Sequence, residues 1–142
     1  MGAIHVTVGI LVLATNALAA GWGGVAWARK KTSVWFWYLL RAAQATVVVQ
    51  ALIGLVLVID GRDPPDSLHY IYGIAPLFIS LFAEALRYGS VQKEMEGIDD
   101  PESLPRSEQV MLARKIVIRE MGTMTVGTLL IVTLSLRAAV SG

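Results

Sequence analysis

Cysteine is absent from this 142-residue chain, and its absence removes several chemistries at once. Disulfide staples, thiolate metal sites, iron–sulfur clusters, haem attached through C-x-x-C-H and membrane thiol oxidoreduction all need a sulfur that is not there. Net charge is scarce too. Twelve Lys and Arg against eleven Asp and Glu leave +1, so no basic stripe exists to neutralise phosphates, and nucleic acid is excluded as a partner. No Ser-His-Asp arrangement, phosphate loop or carboxylate cluster is visible, and no independent catalytic activity is expected.

What the chain has in abundance is apolar sequence. Hydrophobic residues make up 55% and mean hydropathy is +0.60, too apolar for an ordinary soluble domain. The apolar residues fall into four runs, roughly 4–28, 34–59, 68–86 and 121–140. Each is close to the ~20 residues that span a bilayer core as helix. The expected fold is an all-α integral membrane protein, one domain over 1–142, built as an up-down bundle of four transmembrane helices. Those helices are expected over about 4–28, 34–59, 68–96 and 107–140, with the last two extending into the cytoplasm. The first run is read as a retained helix rather than a signal peptide, because Arg29, Lys30 and Lys31 follow it and no Lys or Arg precedes it.

Basic residues predict the orientation. Arg29, Lys30, Lys31, Arg41, Arg87, Lys93, Arg106, Arg114, Lys115 and Arg119 flank the first and third connections, leaving only Arg62 and Arg137 of the twelve on the other side. The positive-inside rule then makes both termini extracytoplasmic, in what is expected to be a bacterial cytoplasmic membrane. Trp22, Trp27, Trp35, Trp37 and Tyr38 would form the inner aromatic belt, and Tyr70 and Tyr72 the outer one. Asp66 or Ser67 is a candidate N-cap for the third helix, Pro76 a candidate kink, and Gly97 its C-terminal signal. The charged tip at 98–106 is expected to be a solvated hairpin, with a docking surface for a partner subunit as the alternative.

Inside the runs, small and polar residues predict packing. Ala17-x-x-x-Gly21 and Ala20-x-x-x-Gly24 would let a neighbour approach helix one closely. Gln44 and Gln50 are costly at membrane depth unless paired, so they are expected to bond between helices. Glu84 and Arg87, three apart, suit a local ion pair. Helix one contains Asn16 but no Asp or Glu, which argues against a small multidrug exporter working through a carboxylate in that helix.

The two histidines are the sharpest chemical signal. His5 is followed by Gly9 and His69 by Gly73, and a helix puts i and i+4 on one stripe. Both histidines begin apolar runs that start at the same membrane face. In an up-down bundle those two helices are diagonal partners. Neighbouring helices pack about 8–10 Å apart, so the diagonal leaves room for a flat ring between two imidazoles. Bulky residues one turn from each ligand would block that ring, and Gly9 and Gly73 would not. The pattern points to one haem b with His5 and His69 as metal ligands and Arg62 and Arg137 as ion partners for its propionates.

The series Gln50-x-x-x-Gly54, Gly61, Pro64, His69 resembles one half of the haem A synthase family, over about the first three helices. There a Gln-x-x-x-Gly helix, a short Gly/Pro outer loop and a helix opening on a haem-ligating histidine follow one another. The resemblance implies a haem site with His69 as one ligand and His5 as its partner. The chain lacks that family's cysteine pair and adds a further helix, so oxidation of a haem methyl group is not carried over. The expected function is electron transfer or haem handling beside a respiratory complex, in contact with lipid and with another membrane protein or a second copy. The alternative is a cofactor-free accessory or assembly subunit.

Overall fold

The computed structural model describes residues 2–64 and 67–140. It contains α1 (Gly2–Ala28), α2 (Val34–Ile59), α3 (Leu68–Glu94), a short 3₁₀ turn (Pro101–Ser103) and α4 (Arg106–Val140), with no strand among the described residues. All four α-helices are long and apolar enough to cross a membrane. At 1.5 Å per residue, α1 to α3 are about 40 Å long and α4 about 52 Å, against a hydrocarbon core of ~30 Å.

Local chemistry fixes the ends. The Ser33 hydroxyl accepts a bond from the Phe36 amide at 3.3 Å and caps α2. Lys30, at a φ of 51°, and Gly61, at 74°, turn the chain through the left-handed region after α1 and α2. The third helix stops at Glu94, two residues before the expected end. Gly97, at a φ of 81°, then redirects the chain. Ser67 holds the N-cap position of α3 without making a side-chain cap bond, and Asp66 lies outside the described residues. Pro76 lies buried within a helix that stays continuous through it. At the tip, the Asp100 carboxylate accepts from the Glu102 amide at 3.0 Å, and the Gln109 amide donates to the carbonyls of Glu102 and Leu104.

The helices form a square in which α1 packs on α2 and α4, α3 packs on α4, and the α2–α3 seam is the loosest side. Phe36, Leu40, Ala83, Met121 and Met124 form one core cluster, and Val12, Val47 and Ile131 a second. Between them Asn16, Thr125 and Thr128 are buried. The outside is apolar: Trp35, Phe82 and Ile59 are each more than three-fifths exposed, as suits a surface facing lipid.

Close approach happens at different glycines from those the spacing suggested. A Cβ on Gly21 would meet nothing within 4 Å, and one on Gly24 only an ordinary contact at 3.8 Å. A Cβ on Gly23 would stand 2.4 Å from both the Phe36 ring and the Thr125 hydroxyl, and one on Gly122 would stand 2.6 Å from the Trp27 indole. Gly23 is therefore where α1, α2 and α4 meet. Gly23→Leu should abolish detergent-stable folding, since overpacking a filled site costs about 1–3 kcal/mol or more. Gly21→Leu should leave thermal stability unchanged, and equal behaviour of the two variants would contradict this packing.

Candidate functional site

The starts of α1 and α3, the last turns of α2 and the loop after it enclose a cavity of about 440 Å³. Its walls are mostly apolar, with Leu55, Val58 and Ile74 among them, and a few polar groups border it: His5, His69, Gln50, Tyr70 and the adjacent Arg62 and Asp63. Such a lining, an apolar pocket with a small number of placed polar side chains, is typical of a site for a small molecule or cofactor. The fold brings both histidines here, across the diagonal of the bundle. Their ring centroids are 6.0 Å apart and their planes are inclined by 51°.

Gln50 holds one of the two rings. Its side-chain nitrogen lies 3.3 Å from His5 Nε2, while His5 Nδ1 and Gln50 Oε1 are buried without a hydrogen-bond partner among the described residues. With the amide as placed, Gln50 donates to Nε2 and the ring proton sits on Nδ1. With the amide turned over, Oε1 accepts from Nε2–H and Nδ1 carries the lone pair. Only the second arrangement leaves His5 a nitrogen with a free lone pair, Nδ1, while Gln50 holds the other. Its partner across α2, Gln44, donates to Glu84 Oε1 at 2.8 Å, so both glutamines do bond between helices.

Gly73 and Gly54 form the bare parts of the wall. A Cβ on Gly73 would meet nothing within 4 Å, and one on Gly54 would lie 3.7 Å from His5 Cε1. Gly9 is elsewhere. A Cβ there would come within 3.3 Å of the Gln50 side-chain nitrogen, and Gly9 is not among the residues lining the cavity. On α1 the missing side chain makes room for Gln50, which fills the space beside Gly9. Arg137 does not line the cavity either, because α4 contributes no residue to it. Arg62 does line it, in the loop after α2.

Gln50 and Gly54 also line the cavity; the sequence reading gave Gln50 an interhelical bond and otherwise quoted both residues for the resemblance to the haem A synthase family. The signal that could have found them is their spacing. Gln50-x-x-x-Gly54 repeats the interval of His5 to Gly9 and of His69 to Gly73.

No protein-family model, curated protein or solved structure matches the chain. The site is therefore read from its own geometry.

A second polar cluster lies towards the other end of the bundle. Glu84 takes bonds from Arg41 at 2.5 Å, Gln44 at 2.8 Å and Arg87 at 2.8 Å, and Arg87 also faces Glu120 at 3.9 Å and lies over the Trp37 ring. The Glu84–Arg87 pair expected from spacing is present, but it belongs to a network that ties α2 to α3. Where those helices pack most loosely, this network supplies the cross-links, which fits a structural role.

Proposed function

We infer that this is a membrane haem protein that holds one haem b between His5 and His69 and serves electron transfer or haem handling beside a respiratory complex. The observation that carries this reading is the 6.0 Å separation of the two imidazole centroids inside one cavity. Imidazole nitrogens bind metals at about 2 Å, so two rings on opposite sides of one ion have centroids about 6 Å apart. A bare ion fits less well. Among the described residues no three His, Cys, Asp or Glu side chains come together, whereas a porphyrin brings four nitrogens of its own and needs only two axial ligands.

The other lining residues suit that group. Gly54 and Gly73 leave space beside the rings, Arg62 supplies a guanidinium for carboxylates, and Gln50 orients His5. When bound, the haem would supply one-electron chemistry. The chain's own part is to ligate it, exclude water with apolar walls and neutralise its carboxylates. The resemblance to one half of the haem A synthase family, through Gln50, Gly54, Gly61, Pro64 and His69, supports the same reading.

The basic residues support an orientation with both termini outside, which puts the cavity near the outer face. One haem near one face cannot carry electrons across a membrane alone, so an electron-transfer role implies a partner, another membrane protein or a second copy. In intact cells Ser103→Cys, the sole cysteine of such a variant, should be silent to an impermeant reagent added outside. Labelling there would reverse the orientation.

Titrating haem into purified protein should reach one equivalent with a six-coordinate low-spin spectrum. The His5→Ala/His69→Ala double variant should not acquire it, and an identical spectrum in that variant would move the haem away from the cavity. Gln50→Leu is expected to keep the spectrum but weaken haem retention by about 10–100-fold, the range for a group that orients a metal ligand. Unchanged retention would remove Gln50 from the site.

A further inference from the structure

Along the other half of the bundle, the outer face of the closely packed α3–α4 seam carries an apolar groove of about 780 Å³. Phe78, Phe82 and Leu86 line it from α3, and Val126 and Leu130 from α4, all of them exposed. The Trp27 indole, seated on Gly122, also borders it. Among the described residues a single charged one lines the groove, Arg119, at the end nearest the α3–α4 tip.

Sequence spacing joins that charge to the groove. Lys115, Arg119, Thr123, Val126 and Leu130 follow at intervals of four, four, three and four along α4, which is one helical stripe. From Leu130 to Arg119 the helix rises about 16 Å, and one leaflet of a ~30 Å hydrocarbon core is about 15 Å deep. The groove therefore has the depth of a single leaflet and ends in cations where that leaflet's headgroups begin. Lys115 and Arg119 both pair with Glu94, Lys115 at 2.7 Å, so two positive charges share one carboxylate and one is left over. Arg114 donates to the backbone carbonyl of Lys30 at 3.0 Å, an uncharged acceptor. That contact holds two more cations at the same end of the bundle.

We propose that this groove is a binding site for one anionic phospholipid, with an acyl chain lying along the α3–α4 seam and the phosphate against Arg119 and Lys115. A neutral lipid would fill the groove but leave the surplus charge unanswered. A helix from another protein would have no reason to stop at mid-membrane depth. In the orientation proposed above, the groove opens to the cytoplasmic leaflet, the one rich in anionic lipid, and Trp27 lies at the headgroup level that indoles prefer. The site is separate from the histidine cavity and shares no residue with it.

Native mass spectrometry of the full chain, released from micelles holding equal phosphatidylglycerol and phosphatidylcholine, tests this directly. One phosphatidylglycerol should be retained at least tenfold over phosphatidylcholine. Lys115→Gln/Arg119→Gln should abolish the preference, and Arg29→Gln/Lys31→Gln, equal in charge change at two residues that do not line the groove, should preserve it. Val126→Trp fills the groove at an exposed position, so it should fold normally and lose the bound lipid with every cation intact. That arm decides the matter if the double glutamine variant fails to fold. Equal retention of the two lipids, equal loss in both charge pairs, or full retention in Val126→Trp would each overturn the proposal. So would a dimer that carries no lipid and disappears in Val126→Trp, which would give the groove to a second copy of the chain.

Discussion

Replacing His69 with alanine should leave a folded bundle that has lost nearly all of its haem. The side chain is half-buried at the start of α3 and makes no part of either core cluster, so its removal leaves the packing of Phe36, Leu40, Met121 and Met124 untouched. What it removes is one of the two proposed ligands, whose ring centroids lie 6.0 Å apart. Changing a group that merely orients a ligand costs about 10–100-fold in metal affinity, and losing the ligand itself should cost more than that. His5→Ala should behave alike. Circular dichroism should show unchanged helix content in both variants, while haem retained through purification falls by at least about 100-fold. If the two histidines were only boundary anchors, neither substitution would alter the visible spectrum.

Gly73→Phe should be almost as damaging with both ligands in place. A Cβ at Gly73 meets nothing within 4 Å, so the ring enters the cavity without displacing protein, and thermal stability should hold. Haem occupancy, however, should drop more than tenfold, because the phenyl group takes the space beside His69. Gly9→Phe makes a useful contrast. It would strike the Gln50 side chain 3.3 Å from the new Cβ and force α1 from α2, so its haem loss should come with a lower melting temperature. Haem loss with full stability at Gly9, or an unaffected haem at Gly73, would show that the bare wall has been assigned to the wrong glycine.

The contrast between those glycines marks how far one sequence can be read. The second helix matches its expected bounds at both ends, because Ser33 and Gly61 punctuate it chemically. The third ends early because Gly97 acts after a short turn rather than at the last helical residue. The matching depth of His5 and His69 was legible because chain direction and basic residues set which helix ends lie together. Which side of each helix faces which neighbour was not. Helices α1 and α2 are apolar almost all round, so their periodicity carries little information about direction. That is why Gly23 rather than Gly21 is the contact point, why Gly9 faces Gln50, and why Gly54 of α2 supplies the wall beside His5. Arg137 was grouped with Arg62 by membrane side alone, and only the lining of the cavity separates them.

The most direct test of a haem between His5 and His69 is the visible spectrum of the protein purified from cells supplied with haem precursors, recorded oxidised and then reduced with dithionite. The account predicts an intense Soret band and, on reduction, the sharp α and β bands of a low-spin b-type haem, at one haem per chain. A protein that is folded, helical and colourless would contradict it, and would leave a cofactor-free accessory subunit as the better description of the bundle.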